Sequence, residues 1–195
     1  WQATFMIVGI PGLILALAAF FLKEPKRIEE QVNFDIGSDK KNIFLHLKEH
    51  KNALIPMFGG LIFMALIFYS FSFWAPTMMI RAFDISLSEV GLILGVITII
   101  SSIIGTILAG TAVDYLRNKN YSDAPVRAAM IAVMLALPPI VSLSFINSEI
   151  GAWVCIALYL LFISSFAPLG LLAISGVSTG NVKGQAAAIH AFLMM

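Results

Sequence analysis

The chain has 195 residues, of which 59% are hydrophobic and only 12% charged, with a mean hydropathy of +0.94. A soluble fold of this size cannot hide so much apolar surface from water, which excludes a soluble enzyme domain, a nucleic-acid-binding module and a disordered tail. The net charge of +1 gives no field to recruit polyanions, and the single cysteine, Cys155, excludes a disulfide framework and a cysteine-based metal site.

A charge-free apolar stretch of about 18–20 residues is long enough to cross ~30 Å of hydrocarbon as a helix. Taken in chain order, five such spans are expected: 1–22, 53–80, 90–113, 128–148 and 150–182, with a sixth beginning at Gly184. Trp1 and Met195 both lie in apolar sequence, so the chain reads as a piece of a longer one. The first span lacks the basic flank and small-residue cleavage site of a signal peptide. None of the spans shows the two-residue alternation of a barrel strand. The fold class is therefore all-α, a polytopic membrane helix bundle, incomplete, with five full spans and a truncated sixth.

Segment 23–52 is the one long polar stretch, with seven basic and six acidic residues. Ile43, Phe44 and Leu47 within it fit either a short amphipathic helix on the membrane surface or a plain solvated linker. Ser86 and Glu89 have the spacing of a capping box before the third span. Pro138-Pro139 and Pro168 fall inside the fourth and fifth spans, where neighbouring helices can satisfy the freed carbonyls. Gly91 and Gly95 are four apart, as are Gly176, Gly180 and Gly184. This spacing predicts flat faces for close helix approach.

If every span crosses once, eleven of the twelve Lys and Arg residues fall on one side, Arg81 being the exception. The positive-inside rule then puts 23–52, 114–127 and Lys183 in the cytoplasm.

Three local patterns carry a family resemblance. Gly110-Thr-Ala-Val-Asp114-Tyr-Leu-Arg117-Asn-Lys119 resembles the G-x-x-x-D-R-x-G-R-R loop of the major facilitator superfamily. Tyr115 replaces the usual basic residue, and Arg117 stands where Gly is usual. Lys183-Gly184-Gln185-Ala186-Ala187-Ala188 resembles the R-G-x-A-x-A loop before that family's eleventh helix. Trp74-Ala-Pro76, Arg81 and Ser86-Leu-Ser88-Glu89-Val-Gly91, with Trp1, Phe5, Gly9-Ile-Pro11-Gly12 and Glu24-Pro25 before them, are similar to the spinster-like branch; hexuronate and organophosphate carriers share part of this pattern. The resemblance implies that 1–22 is the last helix of an N-terminal bundle, 23–52 the central cytoplasmic loop, and 53–195 an incomplete C-terminal bundle. It also implies alternating access by rocking of one half against the other.

Within that frame Asp114 is expected to hold a cytoplasmic conformational latch with Gly110, Arg117, Lys183 and Gly184. No Asp, Glu, Lys or Arg lies within the spans, so a coupling carboxylate is expected in the missing N-terminal half. His190 is the coupling candidate here, against the alternative of a packing histidine. The resemblance makes the seventh and tenth helices line the cavity, which nominates Tyr69, Phe73, Tyr159, Phe162 and Phe166. That uncharged aromatic wall suits an amphipathic or hydrophobic solute. An organic anion or sugar phosphate would call for an Arg or Lys, and this half offers none. The alternative is that these aromatics pack the bundle or face lipid, and Trp74 equally suits an interface anchor.

The expected function is thus secondary active transport, with an organic-anion carrier of the same superfamily, a non-transporting receptor and a membrane-embedded enzyme as alternatives. An enzyme needs clustered His, Asp or Glu inside the spans and a channel needs a filter; neither pattern occurs, nor does a P-loop. No cofactor or metal site is expected. The expected partners are membrane lipid, a small-molecule substrate and the missing N-terminal half, with no nucleic acid. The expected location is a plasma or inner membrane, or an organelle membrane.

Overall fold

The structure is a computed structural model that describes residues 2–21, 51–177 and 182–193. The chain divides into two compact units, Trp1–Asp39 and Lys40–Met195. The first holds α1, Gln2–Ala19, formed by the first expected span. Ile43, Phe44 and Leu47 lie outside the described residues, so neither reading of that segment is decided.

The second unit contains α2 (Lys51–Phe83), α3 (Leu87–Asn118), α4 (Ala124–Ser142), α5 (Glu149–Ile163), α6 (Phe166–Val177) and α7 (Val182–Leu193). A single 3-10 turn, Leu143–Phe145, follows α4. Among the described residues there is no strand. Among the described residues, four stretches are long and apolar enough to cross a membrane: Lys51–Phe83, Leu87–Asn118, Ala124–Phe145 and Glu149–Val177. They correspond to the second through fifth expected spans. Leucine, isoleucine and phenylalanine side chains are exposed along all four. Water would disfavour such a surface, whereas lipid is a matching solvent for it. An all-α membrane helix bundle is the fold.

Local chemistry sets the helix ends. Ser86, extended at ψ 146°, accepts a hydrogen bond at its Oγ from the Glu89 N–H at 3.3 Å. Its side chain thus satisfies an otherwise orphaned donor of α3. Ser148 does the same for Gly151 at 3.2 Å. Asp84 and Asn120 take positive φ values of 54° and 64° in the turns after α2 and α3; Asp and Asn tolerate this conformation better than other side chains. Pro125 sits in the first turn of α4, where a missing N–H costs nothing. The same helix runs through Pro138 and Pro139, and Ser142 Oγ donates to the Pro138 carbonyl at 2.7 Å.

The fifth expected span is broken. It forms α5 and α6, separated by a turn at Ser164 and Ser165. Pro168 cannot donate to the Ser164 carbonyl four residues earlier. Ser164 and Ser165 instead turn their hydroxyls onto the carbonyls of Leu161 (3.3 Å) and Phe162 (2.8 Å). This broken element is also the centre of the bundle. Half of the apolar window in Glu149–Val177 is buried, against 17% in each of the other three spans. α4 packs on both α5 and α6, α3 packs on α5, and α2 reaches α3, α6 and α7.

Small residues bring α3 and α5 together, but not at the expected glycines. Ser101 and Gly105, four apart along α3, are both buried there, and Ala109 one turn further on clusters instead with Ala124 and Ala128 of α4 and Leu169 of α6. Ser101 Oγ donates to the Ala157 carbonyl of α5 at 3.2 Å. A Cβ at Gly105 would collide with the Leu161 carbonyl oxygen and stand 2.6 Å from Ser164 Oγ. By contrast, a Cβ at Gly91, Gly95, Gly176 or Gly184 would meet nothing within 4 Å. The close-approach faces expected there are absent from the described structure, and Gly180 lies outside it. Without a hydrophobic driving force between helices in lipid, dispersion contacts and interhelical hydrogen bonds do the holding. The α3–α5 seam supplies both.

Candidate functional site

The candidate latch lies near the end of α3. Asp114 is exposed, next to buried Val113. α3 does not end at Asp114 but continues one turn to Asn118. A carboxylate there sits near the negative end of the helix dipole, so it needs a cation from elsewhere. Among the described residues none is in contact with it. Arg117 is exposed without an ion pair to Asp114, and Gly110 is exposed with open space where a side chain would stand. Gly184 lies on α7, and the Lys183 side chain lies outside the described structure.

The loop between α3 and α4 carries its own charge contacts. Lys119 Nζ stands 4.5 Å from the centre of the Tyr115 ring, and the Arg127 guanidinium 4.2 Å from that of Tyr121. Arg127 Nε donates to Asp123 Oδ1 at 2.8 Å. That hydrogen bond holds the Asp123 carboxyl below the usual carboxylate range. The neighbouring Tyr115 side chain holds the Lys119 ammonium above the usual lysine range. Sequence reading missed the Asp123–Arg127 pair, although an i, i+4 acid–base spacing at a helix start signals it.

The five candidate cavity aromatics do not share one open wall. Tyr69 and Phe73 are exposed on α2, while Tyr159 and Phe166 are buried and Phe162 is half-buried. The α2 aromatics that meet α5 and α6 are their neighbours. Phe71 lies 4.3 Å from Tyr159 and Phe68 lies 6.0 Å from Phe166, centroid to centroid. Tyr69 touches Phe68 edge-on at 5.6 Å, and Phe73 touches Trp74 at 5.7 Å. Among the described residues, the side-chain polar atoms left buried and without a hydrogen-bond partner are Tyr159 Oη and His190 Nε2. His190 is 7% exposed. It is held against Gly170, whose Cβ, if present, would stand 3.1 Å from Nε2 and collide with Leu61.

Cavities open between the helices, and two of them bear on these residues. One, of about 620 Å³, lies between α2, α4 and α6 and includes Phe166 in its wall. The other, of about 390 Å³, lies between α2, α3 and α5 and presents Phe71, Ser72, Gly95 and Thr98. Its hydroxyls are already committed to their own helices. Ser72 donates to the Phe68 carbonyl at 2.8 Å and Thr98 to the Leu94 carbonyl at 2.7 Å. No Asp, Glu, Lys or Arg lines either cavity. Among the described residues no group of three or more His, Cys, Asp or Glu is placed to hold a metal ion.

Uncharged cavities between lipid-compatible helices, with a Gly…Asp motif at the end of α3, suit a solute carrier. The family model of the Major Facilitator Superfamily matches residues 1–195. No curated protein and no solved structure matches the chain. The match covers the whole sequence, and the chain belongs to the Major Facilitator Superfamily, a family of integral membrane secondary transporters.

Proposed function

We propose that the protein is a secondary active transporter that moves an amphipathic or hydrophobic organic solute by alternating access. The observation that carries this reading is the lining of the two cavities, which has aromatic and aliphatic walls, two committed hydroxyls and no charged side chain. A desolvated anion would need a cation facing it, so an organic anion or sugar phosphate is the less favoured cargo. In this reading Tyr69, Phe73, Tyr159, Phe162 and Phe166 belong to the solute path. Buried Tyr159 and His190 are then the groups that gain a hydrogen bond when the bundle rearranges or cargo enters. His190 is the candidate for proton coupling. The spinster-like branch, with 1–22 closing an N-terminal bundle and 23–52 joining the halves, completes the proposal.

Asp114 is the latch carboxylate. Its exposed, unpartnered state in this conformation fits a contact that forms in another one. A latch biases a transition only if its energy differs between the two states.

The test is uptake into proteoliposomes, comparing a neutral amphiphile with a sugar phosphate, with and without a proton gradient. Amphiphile uptake that saturates, together with no sugar-phosphate uptake, is the expected result. The reverse pattern would sink the solute assignment. Asp114→Asn is expected to slow transport and shift the conformational populations seen by double electron–electron resonance. Wild-type rates with wild-type populations would remove the latch. A His190→Gln carrier that keeps its pH dependence would remove the coupling role.

A further inference from the structure

The smaller cavity is shaped by a helical hairpin. α2 ends at Phe83 and α3 begins at Leu87. Ser72 and Thr98 each lie eleven residues from that turn, about 16 Å at 1.5 Å per residue. The two hydroxyls therefore stand level with each other, near the middle of a ~30 Å hydrocarbon core. Ala75 and Gly95 are level in the same way, eight residues from the turn. Small side chains at matching heights let two helices close on each other. Here all four line a gap of about 390 Å³ instead. The floor of that gap belongs to the core. Ala75 and Leu160 are buried, and Phe71 packs on buried Tyr159 with ring centroids 4.3 Å apart.

The hydrogen-bonding chemistry of the gap is one-sided. A hydroxyl has one proton to give and two lone pairs to receive. Ser72 has given its proton to the Phe68 carbonyl and Thr98 to the Leu94 carbonyl. Acceptor capacity is what each has left. The other lining side chains, from Phe71, Ala75, Leu94, Gly95, Ile99 and Leu160, carry no polar atom. The side chains of this cavity thus accept hydrogen bonds and do not donate them, and hydrocarbon at that depth has no donor to offer. An ammonium group would bring donors together with a charge. No carboxylate lines the cavity to offset the desolvation of that charge.

We propose that the cavity between α2, α3 and α5 is a subsite for an uncharged head group with two hydrogen-bond donors, such as the NH2 of a primary amide, which donates to Ser72 Oγ on one wall and Thr98 Oγ1 on the other. An ether, ketone or ester end, which only accepts, finds no side-chain partner there. Calling this group part of the cargo rests on the carrier reading above; the acceptor pair does not.

The experiment is photoaffinity labelling of the full chain in proteoliposomes. Two alkyl probes with a diazirine beside the head group are compared. One ends in a primary amide, and the other in the methyl ester, which keeps the carbonyl and lacks the donors. The amide is expected to half-saturate labelling of residues 71–75 and 94–99 at a lower concentration than the ester, by about five-fold for each hydrogen bond made. Ser72→Ala and Thr98→Val are each expected to lower that preference about five-fold, and together to bring the two probes level. Gly95→Leu is expected to cut labelling by both probes at least three-fold. A Cβ at Gly95 meets nothing within 4 Å, so the new side chain enters the gap without pushing the helices apart. Equal half-saturation by wild type, or a double variant of wild-type helicity that still prefers the amide, would overturn the proposal. In that event saturable uptake of a neutral amphiphile would leave the carrier reading standing. An amide preference without any saturable uptake would keep the subsite and sink the carrier reading instead.

Discussion

At the scale of single residues, geometry separates glycines that composition makes equivalent. Gly105 is pressed against the Leu161 carbonyl and Ser164 Oγ, whereas Gly91 faces open space. A methyl at Gly105 can be accommodated only if α3 and α5 move apart, because one of the atoms in its way is rigid backbone. Gly105→Ala is expected to destabilise the bundle by about 1–3 kcal/mol, the usual cost of overpacking. Gly91→Ala is expected to be neutral or to stabilise by about 0.5–1 kcal/mol, since Ala loses less backbone entropy in a helix. Thermal unfolding in one detergent reads both; equal effects would show that the seam is not tight. The Asp123–Arg127 pair gives a second prediction at this scale. Its carboxyl is held below the ordinary range by the hydrogen bond from Arg127. The pair is therefore intact above the ordinary carboxylate pKa and is lost as pH falls through the depressed one. Carbon-13 titration of Asp123 should give a midpoint below that of a free aspartate, and Arg127→Gln should raise it toward the ordinary value.

At the scale of elements, the membrane spans were legible and their faces were not. The spans can be placed from sequence because charges mark their limits, and the Ser86 cap can be placed because its spacing from Glu89 carries a mechanism. The faces are hidden because these helices are apolar all round, so no polar stripe says which side is buried. That is why Phe68 and Phe71, which touch α6 and α5, could not be told from Tyr69 and Phe73, one or two positions away. It is also why the small-residue rule pointed to Gly91 and Gly95 when the seam runs through Ser101 and Gly105. Every one of these residues is small, and only the packing partner distinguishes them. The break between α5 and α6 was half legible. Pro168 announced a disturbed hydrogen-bond ladder, but the two serines whose hydroxyls cover the Leu161 and Phe162 carbonyls complete the break. Pro168→Ala restores a donor to the Ser164 carbonyl and is expected to extend α6 backwards across Ser164 and Ser165. Amide hydrogen exchange at 164–168 should slow at least several-fold; unchanged exchange would mean that the serines, not the proline, hold the break.

At the scale of the whole molecule, the bilayer acts as the missing half of the core. Buried side chains are few outside α5 and α6, and the exposed ones are of the kind that lipid accommodates. Such a surface fixes how the spans lie only if their polar ends also prefer particular sides, and that preference comes from the basic residues. α4 joins the turn at Tyr121–Asp123, flanked by Lys119 and Arg127, to the turn at Asn147, which has no basic neighbour. If α4 crosses once, Asn120 and Asn147 lie on opposite faces of the membrane, with Asn120 in the cytoplasm. The sole cysteine is buried within α5, so Cys155→Ala leaves a clean background for labelling. Single cysteines at 120 and 147 are then expected to react with a membrane-impermeant maleimide from opposite sides of oriented vesicles. Asn120→Cys should react only when the cytoplasmic face is open. Labelling of both from the same side would mean that α4 does not cross. The alternation of the basic loops would lose its meaning, and the latch at Asp114 would lose its assignment to the cytoplasmic side.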